Sequence, residues 1–275
     1  MRLINKPYKL LVSDIDGTLL NRNGEISTVD IEALAEVVRS GIPVALSTGR
    51  VVLAAQKFLD QLSLEGSHIF FDGALVFSPS RGKEVYVEPI PAELVKEMTG
   101  LSREVKVNLD LFSLDSFFVE RESWVSEIRQ RFFGLEVNIA DFGTIWRQQR
   151  IIKGTLVART GEEKAEVAKF CRHFGDRLAF SLTRTPAYPD IDFTNVIAAG
   201  ASKGKALEAL VSYLGIELSQ VVAIGDGIND LSLLSRAGLS IAMGNASDEL
   251  KAAADHVTLD VENNGLAAAV RKFLL

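Results

Sequence analysis

Apolar and polar positions follow two rhythms along this chain. In the first quarter, short apolar runs alternate with helix-period segments. Lys9 to Ser13 reads as a buried strand. Ser27 and Thr28 offer caps to an amphipathic helix carrying Ile31, Leu34, Val37 and Val38, closed by Gly41. Residues 42–46 read as a second buried strand, Thr48-Gly49-Arg50 opens a helix to about Leu62, and residues 69–71 read as a third, short strand. Residues 76–87 read as a hairpin that turns at Pro79-Ser80-Arg81-Gly82. The last quarter resumes the alternation. Helices are expected from Ser202 to about Leu214 and over about 229–236, 246–254 and 264–274, with strands near 221–224, 239–242 and 256–259 between them. This order predicts an α/β fold with a parallel sheet and helices on its faces.

The middle of the chain has a different rhythm. Val105-Lys106-Val107-Asn108-Leu109 and Ser116-Phe117-Phe118-Val119-Glu120 alternate with period two, and two polar helices are expected around 121–133 and 161–174. The expectation is an α+β unit at 87–196 inserted into a parallel-sheet domain made of 1–86 and 197–275. Its hinges would lie near Glu88-Pro89 and Ala198-Ala199-Gly200.

Chemistry concentrates where strands end. The run Leu10-Leu11-Val12-Ser13 stops at Asp14-Ile15-Asp16-Gly17-Thr18. Residues two apart on an extended chain point the same way, so Asp14 and Asp16 are expected to face one point. Such a pair repels itself unless a metal or a shared proton compensates. Three further motifs follow expected strands or open helices: Ser47-Thr48-Gly49-Arg50, Gly200-Ala201-Ser202-Lys203-Gly204 and Gly225-Asp226-Gly227-Ile228-Asn229-Asp230. In a parallel sheet these strand ends converge on one crevice. Carboxylates without histidine or thiol favour a hard cation such as magnesium, while helix N-termini, a hydroxyl and a lysine favour phosphate. A site for both suggests phosphoryl transfer. Neither a P-loop nor a dinucleotide fingerprint fits, because Gly204-Lys205 is followed by Ala206 and Asp230 stands where the second pattern needs glycine.

Composition narrows the field. The 275 residues carry a formal net charge of −6, which argues against nucleic acid as a partner. Cys171 is the single cysteine, and His68, His173 and His256 lack zinc-site spacing. No stretch approaches the roughly 20 apolar residues of a membrane span, and the N-terminus does not read as a signal peptide. A cytoplasmic setting with no membrane partner is the expectation.

Together the four motifs resemble the haloacid dehalogenase (HAD) superfamily, and they occur in that family's order: Asp14-x-Asp16-Gly17-Thr18, Thr48, Lys203, and Gly225-Asp226-Gly227-x-Asn229-Asp230. The tail Ala242-Met243-Gly244-Asn245-Ala246, with Ala254-Asp255 and Asn264-Gly265, is similar to the Cof-type (IIB) sugar-phosphate phosphatases. The resemblance implies a Rossmann-like core with an inserted α+β cap at 87–196. It also implies magnesium-dependent hydrolysis of small phosphorylated metabolites through an aspartyl-phosphate. Asp14 would be the nucleophile and Asp16 the general acid and base. Magnesium would be held by Asp14, Asp226 and the backbone carbonyl of Asp16. Thr48, Gly49 and Lys203 would hold the phosphoryl oxygens, Asn229 would touch phosphate or the metal's ligands, and Asp230 would orient Lys203 or a bound water.

The chain departs from the family at Phe71-Asp72-Gly73-Ala74, where the usual pattern is Asn-Gly-Ala. Asp72 is therefore a candidate substrate contact, as are Arg184 and Asn195 in the cap. Trp146-Arg147-Gln148-Gln149-Arg150 offers a further polar surface, read either as contacts for hydroxyls or as a solvated face. The cap holds 15 basic and 17 acidic residues, too even a balance to argue for an anion funnel. A phosphomutase and a non-catalytic sugar-phosphate sensor are the alternatives at this point.

Overall fold

The computed structural model describes residues 8–133, 136–185 and 188–275; of residues 131–133, 184 and 185 it describes the backbone alone. The chain forms two compact units, one of residues 1–49, 57–86 and 202–275 and the other of 50–56 and 87–201. The first unit opens with β1 (Leu10–Ser13), buried along its whole length. Next comes α1 (Thr28–Arg39), capped by the Ser27 hydroxyl, which accepts the Asp30 N–H at 3.0 Å. Its buried positions Ala33, Leu34 and Val37 follow helix spacing, whereas Val38 is largely exposed. β2 (Val44–Leu46) follows, then α2 (Val52–Leu62), of which only the part from residue 57 groups with this unit.

β3 (His68–Phe70), β4 (Leu75–Ser78) and β5 (Lys83–Val87) form a separate three-stranded sheet. The third expected strand is therefore not a full member of the parallel sheet. The cause is local: the Leu46 N–H donates to the imidazole Nδ1 of buried His68 at 3.1 Å, in place of a neighbouring strand's carbonyl. Strand pairing toward β3 is reduced to a single bridge just beyond β2, Ser47 to Ile69.

The second unit contains α3 (Ala92–Glu104), β6 (Asn108–Phe112), β7 (Phe117–Val119), α4 (Trp124–Phe133), β8 (Asn138–Ile139), α5 (Ile145–Gln148), β9 (Lys153–Ala158), α6 (Gly161–Phe174), β10 (Leu178–Thr185) and β11 (Tyr188–Ala198). Its six strands run in the order β10-β11-β9-β6-β7-β8, antiparallel except for β7 with β8. One face, with Leu109, Leu111, Leu156 and Val196, packs on Met98 of α3 and Phe170 of α6. On the other face, Val157, Ile191 and Phe193 pack against Val125 of α4.

Three expectations change here. Helix α3 was not foreseen. The alternating segment 105–109 is not all strand, because Val105 caps α3, Lys106 takes a left-handed turn at φ 56°, and pairing begins at Asn108. The unit also ends later than residue 196, since β11 continues to Ala198, and residues 50–56 group with it.

The chain then completes the first unit with α7 (Lys203–Leu214), β12 (Val221–Gly225), α8 (Leu231–Leu234), β13 (Leu239–Ala242), α9 (Asp248–Ala253), β14 (His256–Val257) and α10 (Gly265–Phe273). The helix expected from residue 229 is a tight turn at Ile228–Asp230 followed by the single turn of α8. The parallel sheet has the order β14-β13-β12-β1-β2, so β1 is flanked on both sides. Leu10, Val12, Val221 and Ala223 of the sheet pack with Leu207 and Leu210 of α7 in one core. Each leucine and valine among them contributes roughly 1.5–3 kcal/mol on burial. In register, Ser13 lies beside both Ile224 and Leu46, so Asp14, the start of the 47–49 turn and Gly225 are neighbours at one end of the sheet. Among the described residues no helix is long and apolar enough to cross a membrane.

Candidate active site

Asp14 is the first residue beyond β1, and its N–H still donates to Ile224 O at 2.9 Å. Its side chain is buried, with Oδ1 2.6 Å from Nζ of Lys203. Lys203 opens α7 behind its cap Ser202, whose hydroxyl accepts the Lys205 N–H. The same ammonium donates to Oδ1 of Asp230 at 2.6 Å. The other Asp230 oxygen accepts the N–H groups of Asp226 at 3.1 Å and Gly227 at 3.0 Å, which fixes the turn after β12. One buried carboxylate thus orients both the lysine and the loop that carries Asp226.

Asp226 meets the loop after β1. Its Oδ1 accepts from Thr18 at 3.2 Å, and its Oδ2 from the Asn245 amide at 3.2 Å. Asn245 also donates to Gly17 O at 2.8 Å and accepts the Val261 N–H at 2.9 Å. Gly17 is indispensable here: it has φ +86°, and a β-carbon would lie 2.2 Å from Asp226 Oδ2. Thr48 is buried at the end of β2; its N–H donates to Ile69 O and its carbonyl accepts the Asp72 N–H at 3.1 Å. Asp72 accepts the Asn229 amide at 2.9 Å.

The electrostatics are lopsided. Asp14, Asp226 and Asp230 each bring a carboxylate oxygen into a cluster within 4.8 Å. Burial, reinforced by Asp230, Asp226 and Asp16, holds the Asp14 pKa well above the usual carboxylate range despite Lys203. Burial, then Asp230, pushes Asp226 up to about 7. Burial also works against the Lys203 charge, but Asp14, Asp230 and Asp72 outweigh it and raise its pKa. A small divalent cation would relieve this crowding, and an all-oxygen donor set suits a hard one. The residues present therefore fit such an ion.

The structure brings together Asp14, Thr48, Gly49, Asp72, Lys203, Asp226, Asn229 and Asp230 in one unit. Two details differ from the sequence reading. The loop does not stay extended: Asp14 is buried and Asp16 exposed, though the charge of Asp16 still reaches Asp14 and Asp226. Asp230, expected only to orient Lys203 or a bound water, itself contributes an oxygen to the acidic cluster. Thr18 and Asn245 were given no role in the sequence reading. Asn245 follows β13, which pairs with β12, so its place beyond a parallel strand's C-terminal end was the available signal.

In the second unit, Asn195 bonds within its own sheet, to Thr183 at 3.0 Å and Thr155 at 3.4 Å. Arg184 lies on β10, and its side chain falls outside the described residues. Trp146 bonds to Gly143 O and carries the Arg147 guanidinium 4.4 Å above its ring.

The sequence pattern of the haloacid dehalogenase-like hydrolases matches residues 11–270. The chain belongs to that family. It is similar to the HMP-PP phosphatase of Yersinia pseudotuberculosis, 29% identical over 255 residues that cover 89% of this chain and 86% of the relative. The solved structure of a haloacid dehalogenase-like hydrolase from Bacteroides thetaiotaomicron superposes with TM-score 0.82 at 26% identity, covering 96% of this chain and 99% of that one. The HAD subclass IIB sugar phosphatase BT4131 gives TM-score 0.78 at 26% identity, covering 96% of this chain and 98% of that one. This haloacid dehalogenase-like hydrolase is thus a phosphatase enzyme with an α/β core and an additional sheet domain.

Proposed function

We propose that this hydrolase cleaves small phosphate monoesters, of the sugar-phosphate class or similar cytoplasmic metabolites, through an aspartyl-phosphate on Asp14. The observation that carries the reading is the buried Asp14 carboxylate, held by Lys203 at 2.6 Å inside a cluster with more carboxylates than cations. Lys203 fixes Oδ1, so Oδ2 is the oxygen that attacks phosphorus. The bond from phosphorus to the leaving oxygen breaks as the Asp14–phosphorus bond forms, and Asp16 gives that oxygen a proton. Asp16 then takes a proton from water, which attacks phosphorus and frees Asp14 and inorganic phosphate. The exposure of Asp16 suits a group that exchanges protons with substrate and water. Thr48, Gly49 and Lys203 hold the phosphoryl oxygens, and Asp230 keeps Lys203 in place.

A magnesium ion held by Asp14, Asp226 and the Asp16 carbonyl, with Asp230 beside them, would neutralise the charge of the phosphoryl group. The purified protein should release phosphate from p-nitrophenyl phosphate with magnesium and not with chelator. Asp14→Asn should lower turnover at least about 1,000-fold with an unchanged circular dichroism spectrum. A variant retaining a tenth of the activity would remove Asp14 from the role of nucleophile.

A further inference from the structure

The turn between β3 and β4 is strained in an unusual way. Phe71 and Asp72, neither of them glycine, both take left-handed conformations, at φ 54° and 55°. Each such residue costs on the order of 1 kcal/mol and persists only where its surroundings fix it. Two backbone bonds help to fix this turn: the Asp72 N–H donates to Thr48 O and the Ala74 N–H to Phe71 O, each at 3.1 Å. The result is a carboxylate turned inward and 7% exposed.

Three of its interactions bear on what that carboxylate does. Oδ1 accepts the Asn229 amide at 2.9 Å. It also lies against Gly49, where a β-carbon would come within 2.7 Å of it. Its charge reaches Lys203, whose ammonium it helps to keep protonated. Asp72 therefore stands among Gly49, Lys203 and Asn229, groups suited to hold the phosphoryl oxygens. Asn229 has committed an amide hydrogen to Asp72. A carboxylate at this place opposes a phosphate dianion, whereas an asparagine would be neutral and could donate.

We propose that Asp72 is a positioning residue that holds the Asn229 amide and sets a negative charge against bound phosphate, so that the inorganic phosphate product is held weakly and leaves readily. The proposal rests on the phosphatase reading of the site. Asp72→Asn separates charge from shape, because asparagine is isosteric and tolerates the left-handed backbone. In the magnesium-loaded enzyme, the inhibition constant of inorganic phosphate should fall about tenfold in this variant. KM for p-nitrophenyl phosphate should fall with it. Salt screens so buried a charge little, so the difference from wild type should persist at high ionic strength, and a purely structural lesion would weaken phosphate binding rather than tighten it. Asp72→Ala should tighten phosphate as well and also lower kcat, because Asn229 is released. Asn229→Ala keeps the carboxylate and should not tighten phosphate.

Calorimetric titration with inorganic phosphate reads the same affinities without turnover. Phosphate affinity in Asp72→Asn within twofold of wild type, or weaker, would overturn the proposal. If wild type itself hydrolyses no aryl phosphate, it is the phosphatase reading that fails, and the two failures stay distinct.

Discussion

In the first unit, Lys203 lies 2.6 Å from both Asp14 and Asp230, with Asp226 in the same acidic cluster. In the second, Arg129 of α4 meets Asp110 of β6 at 2.9 Å, and its guanidinium lies 5.6 Å and 5.1 Å from the ring centres of Phe112 and Phe193. Both places bury a cation with a carboxylate, yet the balance differs. Burial raises the Asp110 pKa while Arg129 draws it back. Around Lys203 the carboxylates outnumber the ammonium. Desolvating a balanced pair roughly breaks even against apolar packing, but an unbalanced cluster costs stability until a ligand completes it. The first arrangement is what a site for a cation and a phosphoryl group requires. The second is what holding a helix against a sheet requires.

The widest test of that contrast is to remove each cation. Lys203→Met should lower kcat on p-nitrophenyl phosphate about 100- to 1,000-fold, since in the proposed mechanism its charge holds both nucleophile and phosphoryl oxygens. It should also cost about 3–5 kcal/mol in the metal-free protein, because buried carboxylates lose their counter-charge. Urea unfolding with and without magnesium checks the second part, and added magnesium should return some of the loss. A variant with wild-type turnover would erase the distinction between the two places.

Arg129→Met should cost a similar 3–5 kcal/mol by stranding Asp110, yet leave the folded enzyme active on the aryl phosphate. Adding Asp110→Leu to Arg129→Met should recover most of the stability, as apolar replacement of a balanced pair often does. Urea midpoints of the single and double variants measure this. Lost turnover in a folded double variant would move the pair from architecture into chemistry.

The unbalanced cluster was far more legible in the sequence than the balanced pair. Asp14, Lys203, Asp226 and Asp230 each follow a strand or open a helix, and a parallel sheet gathers such positions whatever their separation along the chain. Asp110 and Arg129 carry no such mark, because only the docking of α4 on the sheet brings them together. Helix α3 escaped for another reason. Its buried positions Val95, Met98 and Ser102 keep helix spacing, but they run straight into the alternating residues 105–109, which read as strand. The role of Asn245 depends on the loop after β13 meeting the loop after β1, a contact of two segments over 200 residues apart. The exposure of Asp16 was not legible, because period-two reasoning stops where the chain leaves β1 and turns.

His68 handles burial in a third way, by giving up charge altogether, and it yields the smallest and most pH-specific effect. Burial lowers its pKa from 6.5 to about 4, while Nδ1 accepts the Leu46 N–H at 3.1 Å. The folded protein therefore keeps this ring neutral where the unfolded chain would already protonate it. Between about pH 6.5 and 4 the unfolded state binds the extra proton, so stability falls as the pH falls. Each tenfold difference in proton affinity between the two states is worth about 1.4 kcal/mol, so the loss reaches about 3 kcal/mol near pH 4. A protonated ring is a donor at both nitrogens and cannot accept from Leu46, so the junction of β2 and β3 is where the loss acts. His68→Asn keeps an acceptor that does not titrate. It should be less stable than wild type at pH 7 by about 1–3 kcal/mol through lost packing. Its urea midpoint should then decline less steeply than wild type from pH 6.5 to 4, so that the two converge in acid. Parallel pH profiles would show that His68 is not the buried neutral group and would leave the acid sensitivity to the carboxylates.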